Sequence, residues 1–204
     1  MPRVMICPNE WKEILKNRRD PGQDRKDEVR NGVYFNAPDP TYSPQTTVLQ
    51  LASILKHIVP AGSRVQAGGN ISDRKTNWKK NYRCPDVMVF LPGNKAVDLG
   101  THYPGGPDFL VEIVSPGDRS LKKLPFYAEL GVKEVLLVDP GKSANSLNRR
   151  TGEGWVGAEI ARLDDQSWLA SGLLPVEFSF KSASGDKRPH VVVRHTLEGR
   201  IMSA

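Results

Sequence analysis

The chain has 204 residues, of which 38% are hydrophobic and 25% are charged, and its formal net charge is +6. This composition indicates a globular protein with one good core and excludes a disordered or membrane-embedded chain. No segment approaches the roughly 18 apolar residues that a membrane span requires, and the amino terminus lacks an apolar signal core, so we expect a cytoplasmic protein. The positive charge favours a polyanionic partner without proving one.

The chain has two cysteines, Cys7 and Cys84. They are too few and too far apart in sequence for a zinc site or a disulfide framework. We interpret both as reduced thiols and expect Cys84, beside Pro85, to be buried.

Two helices are predicted in the first part of the chain. Residues 9–19 have the pattern of a short amphipathic helix. A better-marked helix has Ser43 as its cap and Pro44 in the first helical position, and its apolar residues repeat at helical spacing as far as Val59. The Pro-Ala-Gly sequence at 60–62 ends it.

Four strands follow, each rich in Val, Leu, Ile or Phe. They are predicted at 64–71, 85–91, 108–114 and 134–138. The last three are nearly continuous apolar runs, which indicates central strands covered on both faces. Between the third and the fourth, a helix of about two turns begins near Lys123 and ends at Gly131. This strand–helix–strand unit predicts two parallel, adjacent strands.

The remainder of the chain, 141–204, has no strong helix. Three segments, at 154–163, 173–180 and 190–197, have the pattern of strands, and we expect them to extend the sheet by antiparallel pairs. The elements together predict an α/β fold of the α+β type, with a central mixed sheet flanked by helices. We expect one domain over residues 1–204, with a core at about 28–140 and a C-terminal strand extension at 141–204.

Two acidic residues interrupt the apolar strands. Asp86 opens the sequence PDVMVF, and Glu112 lies inside DFLVEIV. Burying a carboxylate without a partner costs several kcal/mol or more, so a divalent cation or a lysine must neutralise each acid. Lys122 and Lys123 follow the second strand directly. If the two strands pair antiparallel, their alternation allows both acids to point to the same face.

This pattern suits metal-dependent hydrolysis of a phosphodiester. Magnesium is held by one or two carboxylates together with water and phosphate oxygens. A nearby lysine can orient the attacking water and stabilise developing negative charge. The candidate metal ligands are Asp86, Glu112 and the backbone carbonyl of Ile113, and the candidate catalytic cation is Lys123.

Two further segments are candidates for binding. The connection at 92–107 is long for a structureless loop and carries Asp98 and His102, so it is a candidate lid. The segment 74–83 interleaves basic and aromatic side chains, which could neutralise phosphates and stack on bases. Its candidate nucleic-acid-binding residues are Arg74, Lys75, Trp78, Lys79, Lys80 and Arg83. The alternative for this segment is a solvated hairpin tip with an aromatic anchor.

The strings PDVMVF, PDFLVEIVSPGDRSLKKLPFYAELGV and EVLLVDP resemble the core of the Uma-two family of restriction-endonuclease-like proteins, in the PD-(D/E)XK nuclease superfamily. The resemblance covers most of residues 25–140 and is most specific from Glu112 to Asp139. It implies a restriction-endonuclease-like fold and an endonuclease that uses Mg²⁺ or Mn²⁺ to cleave DNA. Because double-strand cleavage by this fold commonly uses a pair of active sites, the resemblance also implies a homodimer.

The resemblance assigns roles to individual residues. Asp86 matches the Asp of the PD element, and Glu112 matches the acidic residue of the (D/E)XK element. The lysine that usually follows two positions later is replaced by Val114. In this family the lysine lies on the following helix, four residues before a tyrosine, and Lys123 stands in that relation to Tyr127.

Other interpretations remain open. Glu28 matches an acidic residue of the family's first strand and is a further candidate ligand, or else a surface residue. Glu112 could form a buried ion pair with Lys123 that needs no metal. The displaced lysine also allows a catalytically inactive nuclease fold that serves as a binding or assembly module. A metal-dependent hydrolase of another phosphoester is a third hypothesis.

Overall fold

The computed structural model describes residues 4–5, 13, 16–18, 20, 24–37, 42–115, 120–152, 154–183 and 186–204. Most of the helix predicted at 9–19 lies outside these residues, as does Cys7. In the described part of the chain, no helix combines the length and the apolar character that crossing a bilayer requires.

Besides the helical residues 13 and 16–18, the described part of the chain contains two α-helices and sixteen strands. The helices are α1 (Tyr42–Ile58) and α2 (Leu124–Glu129). The strands are β1 (Val4–Met5), β2 (Glu28–Arg30), β3 (Val33–Phe35), β4 (Arg64–Ala67), β5 (Ile71–Ser72), β6 (Tyr82–Arg83), β7 (Val87–Phe90), β8 (Tyr103–Pro104), β9 (Phe109–Ile113), β10 (Glu134–Asp139), β11 (Ala144–Thr151), β12 (Gly154–Arg162), β13 (Leu169–Ala170), β14 (Val176–Ala183), β15 (Asp186–His195) and β16 (Ile201–Ser203). Short 3₁₀ turns lie at Trp78–Lys80, Ser120–Lys123 and Pro140–Lys142.

The central sheet is mixed and has the strand order β4-β7-β9-β10-β11-β12. β7 and β9 are antiparallel, whereas β9 and β10 are parallel and adjacent. The segment that connects β9 to β10 contains α2, because parallel neighbours need a crossover. The predicted strand–helix–strand unit is therefore confirmed, as is the mixed α+β fold.

Alternation along the central strands divides their side chains between two apolar cores. On one face, Val87 and Val89 pack with Leu51 and Leu55 of α1. On the other face lie Met88 and Leu110, with side chains of α2 and of a second sheet. This second sheet has the order β1-β3-β2-β6-β5-β8. The central sheet is thus covered on both faces, as its continuous apolar runs predict.

The prediction for the C-terminal strands is correct in part. β11 and β12 extend the central sheet by antiparallel pairing. The strands predicted at 173–180 and 190–197 instead belong to a separate sheet of order β13-β14-β15-β16, whose Phe178 and Phe180 pack beside α1. Apolar periodicity identifies a strand but not its partner, which long-range packing selects.

Candidate active site

Asp86 and Glu112 lie at the same end of the β7–β9 pair. The antiparallel register joins Val87 to Val111, and one further step places Asp86 opposite Glu112. The Asp86 amide donates to the Val111 carbonyl at 3.1 Å, and the Ile113 amide donates to Asp86 Oδ2 at 2.8 Å. Like charges directly opposed in a strand pair are destabilising, so this arrangement requires cations.

A buried lysine neutralises Glu112. Lys123 ends the 3₁₀ turn that leads into α2, and only 7% of its side chain is exposed. Its Nζ lies 3.1 Å from each carboxylate oxygen of Glu112 and 2.9 Å from Oε1 of Glu28. The neighbouring Lys122 is exposed. Of the two lysines after β9, the structure therefore brings Lys123 to the acids.

Glu28 reaches the same lysine from the second sheet. It is buried in β2, where its Oε2 accepts from Arg30 at 2.9 Å and its Oε1 accepts from the Cys84 amide at 3.2 Å. Burial raises the pKa of Glu28, but Lys123 and Arg30 outweigh burial and lower this pKa to about 2. Glu28 is therefore a buried carboxylate that stays ionised at neutral pH, not a surface residue.

The pKa of Glu112 is shifted in the opposite direction from that of Glu28. Burial raises its pKa to about 7; Lys123 opposes this rise, while Asp86 and Glu28 add to it. The Tyr127 hydroxyl donates to Glu112 Oε1. Burial and the nearby acids raise the pKa of Tyr127 well above its usual value, so the phenol stays a neutral donor. Lys123 therefore lowers the pKa of Glu112 by less than burial and the two nearby acids raise it, and a divalent cation in contact with the carboxylate would lower it further.

A second lysine neutralises Asp86. Lys26 lies in the turn at 24–26 that precedes β2, and its Nζ is 2.8 Å from Asp86 Oδ1. Burial lowers the pKa of Lys26, but Asp86 and Glu112 are among the groups that raise it, and the net shift is upward. The side chain of Lys26 remains 35% exposed. The acid cluster therefore contains one buried lysine and one that solvent can reach.

Sequence reasoning assigned no role at the site to two residues of this cluster, Tyr127 and Lys26. Tyr127 follows Lys123 by four residues, a spacing that puts both on one side of a helix, so the signal was present. Lys26 stands two residues before Glu28 but lies in a turn, so strand alternation could not have placed it at the cluster. The buried Cys84 agrees with prediction, and burial raises the pKa of its thiol.

The basic segment 74–83 connects β5 to β6, two antiparallel strands. Its exposed basic residues are Arg74, Lys75, Lys79 and Lys80. Arg74 is paired with Asp73 at 2.8 Å. The Gly32 amide donates to the Lys80 carbonyl at 2.9 Å, so this segment lies beside the β2–β3 turn. Glu28 lies at the other end of β2 from that turn.

Arg83 differs from its expected role as a phosphate contact. It is buried, and it donates to the backbone carbonyls of Val29 at 2.7 Å and Tyr82 at 2.9 Å. Its guanidinium lies 4.1 Å from the centre of the Phe126 ring. Strand alternation turns this side chain inward, so Arg83 holds the second sheet against α2 and does not belong to the basic surface.

His102 also differs from expectation, because the structure does not bring it to the acids. It is buried and stacks on Trp78, with ring centres 4.7 Å apart. It adjoins β8, which β5 and β6 separate from β2 and hence from Glu28. The connection 92–107 joins the ends of β7 and β9 that lie away from Asp86 and Glu112, so it does not form a lid over them.

The residues present suit a hard divalent cation. Among the described residues, no group of three or more His, Cys, Asp or Glu side chains is arranged as a ready metal cage. Magnesium, however, needs only one or two carboxylates, because water and substrate oxygens complete its coordination. Asp86 and Glu112 supply two carboxylates, and the pKa of Glu112 is raised first by burial and then by the neighbouring acids Asp86 and Glu28. This donor set fits Mg²⁺ or Mn²⁺ better than a metal that prefers sulfur or imidazole.

The chain is similar to known proteins in its sequence family and in its fold. The family model Uma2, whose description is "Putative restriction endonuclease", matches residues 11–183. The crystal structure of a protein described as a putative nuclease belonging to DUF820, from Anabaena variabilis, has a TM-score of 0.54 over 74% of this chain and 82% of that chain. The two sequences are 18% identical, so this likeness concerns the fold. No curated protein sequence matches the chain significantly.

Proposed function

This chain belongs to the Uma2 family of restriction-endonuclease-like proteins, and on that premise we propose that it is a divalent-metal-dependent endonuclease that hydrolyses phosphodiester bonds in DNA. The observation that carries the proposal is the opposition of Asp86 and Glu112 at one end of the β7–β9 pair, with Lys26 and Lys123 beside them. Two carboxylates and two cations at one place are the groups that phosphodiester hydrolysis uses.

The metal-binding residues in this proposal are Asp86 and Glu112, with the backbone carbonyl of Ile113 and with Glu28 as an additional acid. A bound Mg²⁺ or Mn²⁺ supplies a Lewis acid for the phosphate and lowers the pKa of a bound water. The chain orients its carboxylates in advance, because the Ile113 amide fixes Asp86 and the Tyr127 hydroxyl fixes Glu112. Such preorganisation removes reorganisation from the chemical step.

Lys123 is the proposed catalytic cation. Its Nζ lies between Glu112 and Glu28, where it balances their charge before substrate binds. From this position, while still held by the two glutamates, the ammonium can stabilise through its electric field the negative charge that develops on the attacking water and on the phosphate. Lys123 thus takes the role of the lysine that is usual in the superfamily at the position that Val114 occupies here.

The charge distribution supports DNA as the substrate. The chain carries a net charge of +6, and its exposed Lys79 and Lys80 lie near the β2–β3 turn, with Lys75 in the same basic segment. At about 3.3 Å per residue, β2 (Glu28–Arg30) is about 7 Å long and the β2–β3 turn follows it directly, so one nucleic-acid strand can reach both Glu28 and this turn. A small phosphoester would not need this second basic region. Cleavage of both strands would need two sites, so we also propose a homodimer.

One observation favours a second function, that of a catalytically inactive nuclease fold acting as a binding or assembly module. Asp86 and Glu112 are already neutralised by Lys26 and Lys123 at 2.8 Å and 3.1 Å. A buried pair of this kind can be retained without catalysis. The two functions differ in whether the acids bind a metal.

Calorimetric titration with Mg²⁺ and Mn²⁺ tests the proposal. We expect the wild type to bind a cation and the Glu112→Gln variant to lose this binding, because the amide removes a charge and keeps the shape. Glu198→Gln, a change at an exposed glutamate in the turn between β15 and β16, is the matched control and should bind as the wild type does. Cleavage of supercoiled plasmid DNA should follow the same pattern. Wild-type protein that binds neither cation in the presence of DNA would favour the inactive module.

A further inference from the structure

The two lysines at the acid cluster differ in what they can still contact. We infer that Lys26 is the cation that contacts a phosphate oxygen of the nucleic acid. When a metal binds Asp86, Lys26 would leave this carboxylate and bind the phosphate oxygen instead, whereas Lys123 would keep its contacts with Glu112 and Glu28. The inference rests on the proposed function, because it assumes that a phosphodiester and a divalent cation meet at Asp86. It assigns a substrate contact to a residue that lies outside both sequence elements from which the acids were predicted.

Lys123 is poorly placed to bind an incoming phosphate. An ammonium group has three N–H donors. The Nζ of Lys123 already lies within 3.1 Å of both oxygens of Glu112 and within 2.9 Å of Glu28 Oε1. Only 7% of its side chain is exposed. A phosphate oxygen could reach Lys123 only by displacing one of these carboxylate oxygens.

Lys26, in contrast, is accessible to an incoming phosphate. Its side chain is 35% exposed, and its Nζ contacts Oδ1 of Asp86 at 2.8 Å. The other oxygen, Oδ2, is held by the Ile113 amide, so Asp86 stays oriented if Lys26 leaves. A cation bound by Asp86 would compete with Lys26 for this carboxylate. The released ammonium would then lie beside the metal position, where a phosphate oxygen is the natural replacement partner.

Hydrogen bonds to the side chain of the next residue, Asp27, fix the backbone at Lys26 and therefore the direction in which the Lys26 side chain extends. Asp27 is buried and accepts from Arg18 at 2.8 and 2.9 Å, from the Ala37 amide at 2.6 Å and from the Tyr34 hydroxyl. Lys26 and Glu28 flank this anchor, and both side chains contact members of the acid cluster. The position of Lys26 is therefore built into the fold, although its side chain can move.

The test compares Lys26→Gln, Lys26→Arg and a matched lysine elsewhere. Lys56 is exposed on α1, which packs on the face of the central sheet away from the acids, so Lys56→Ala removes the same charge from another surface. Affinity for a short DNA duplex is measured from about 50 to about 200 mM salt, with Ca²⁺ and separately with EDTA, since each phosphate contact adds about 0.9 to the slope of log affinity against log salt.

We expect Lys26→Gln to lower this slope by about 0.9 with Ca²⁺ and to leave it unchanged in EDTA, where Lys26 remains with Asp86. Single-turnover cleavage with Mg²⁺ should fall by about tenfold or more, and Lys26→Arg should recover part of it, because the lost interaction is a hydrogen bond to a charged group. Lys56→Ala should match the wild type in all three measurements. Mg²⁺ affinity of Lys26→Gln should equal or exceed that of the wild type.

Three outcomes would overturn the inference. If Lys26→Gln binds and cleaves DNA as the wild type does, Lys26 makes no phosphate contact while the proposed function survives. If Lys26→Gln binds Mg²⁺ more weakly or unfolds at a lower temperature, the role of Lys26 is structural. If the wild type itself neither binds DNA with Ca²⁺ nor cleaves it with Mg²⁺, the proposed function and this inference fail together.

Discussion

Lys123 and Tyr127 lie one helical turn apart and both contact the carboxylate of Glu112. Lys123 ends a 3₁₀ turn, and Tyr127 lies in α2, which begins at the next residue. The four-residue spacing places both side chains on the same side of this helical segment. Glu112 is therefore held by a buried cation and by a buried neutral donor, and each contact has a measurable consequence.

The first prediction concerns the neutral donor. Tyr127→Phe removes the hydroxyl that donates to Glu112 and leaves a buried carboxylate oxygen with one partner fewer. We expect a loss of about 1–3 kcal/mol in the free energy of unfolding. The hydrogen bond lowers the pKa of Glu112, so its removal should also shift the onset of Mg²⁺ binding to higher pH. Urea denaturation and calorimetry at several pH values measure these effects, and an unchanged onset would contradict the second.

The second prediction concerns the buried cation. Lys123→Met keeps most of the side-chain length but leaves Glu112 and Glu28 without the ammonium that they share. Breaking a buried ion pair on one side costs about 3–5 kcal/mol. Lys122→Ala, at the exposed neighbouring lysine, should change stability by less than about 0.5 kcal/mol. Denaturant unfolding measures the free energy of unfolding of both variants. Equal losses would show that the buried Lys123 contributes no more to stability than the exposed Lys122.

The third prediction is the pH dependence of stability. Folding raises the pKa of Glu112 from 4.5 to about 7, so its contribution to stability is full below pH 4.5 and falls as pH rises to about 7. Glu28, whose pKa is lowered from 4.5 to about 2, contributes stability above pH 4.5 that is lost as pH falls towards 2. Between pH 4.5 and 7, wild-type stability should therefore decline relative to Glu112→Gln, by a few kcal/mol at most. Parallel profiles for the two proteins would contradict the raised pKa.

The fourth prediction concerns the opposing acid. Asp86→Asn keeps an oxygen that can accept from the Ile113 amide but loses the charge that pairs with Lys26. We expect the fold to persist and Mn²⁺ affinity to fall by about tenfold or more, because one of two carboxylate ligands is lost. Asp98→Asn changes an exposed acid in the connection between β7 and β9 and is the control. Calorimetric titration with Mn²⁺ measures the affinity of both variants. Equal affinities would contradict the prediction.

The fifth prediction concerns the basic segment. Replacing Lys79 and Lys80 together with alanine should lower the salt slope of DNA binding by about 1.8, since each phosphate contact contributes about 0.9. Lys56→Ala, which removes a lysine from α1, should leave the slope unchanged. Arg83 is left intact because it is buried in the second sheet. A double variant with the wild-type slope would show that DNA does not cross this segment.

Much of the site was predictable from local sequence because its two acids lie in strands with strong apolar patterns. Apolar runs identified β7 and β9 as buried strands, and Asp86 and Glu112 stood out as charges within them. Alternation placed the two acids on one face once the strands paired antiparallel. The family resemblance, through the position of Lys123 four residues before Tyr127, favoured the lysine that the structure places against Glu112.

Tertiary structure alone decided which distant groups complete the cluster. Glu28 belongs to another sheet and reaches Lys123 only because β2 packs over the α2 side of the central sheet. Lys26 meets Asp86 across 60 positions of the chain. Arg83 and the strands predicted at 173–180 and 190–197 have partners other than those predicted for the same reason. A periodic pattern determines which face of an element is buried, whereas the element that covers that face is selected by the packing of the whole chain.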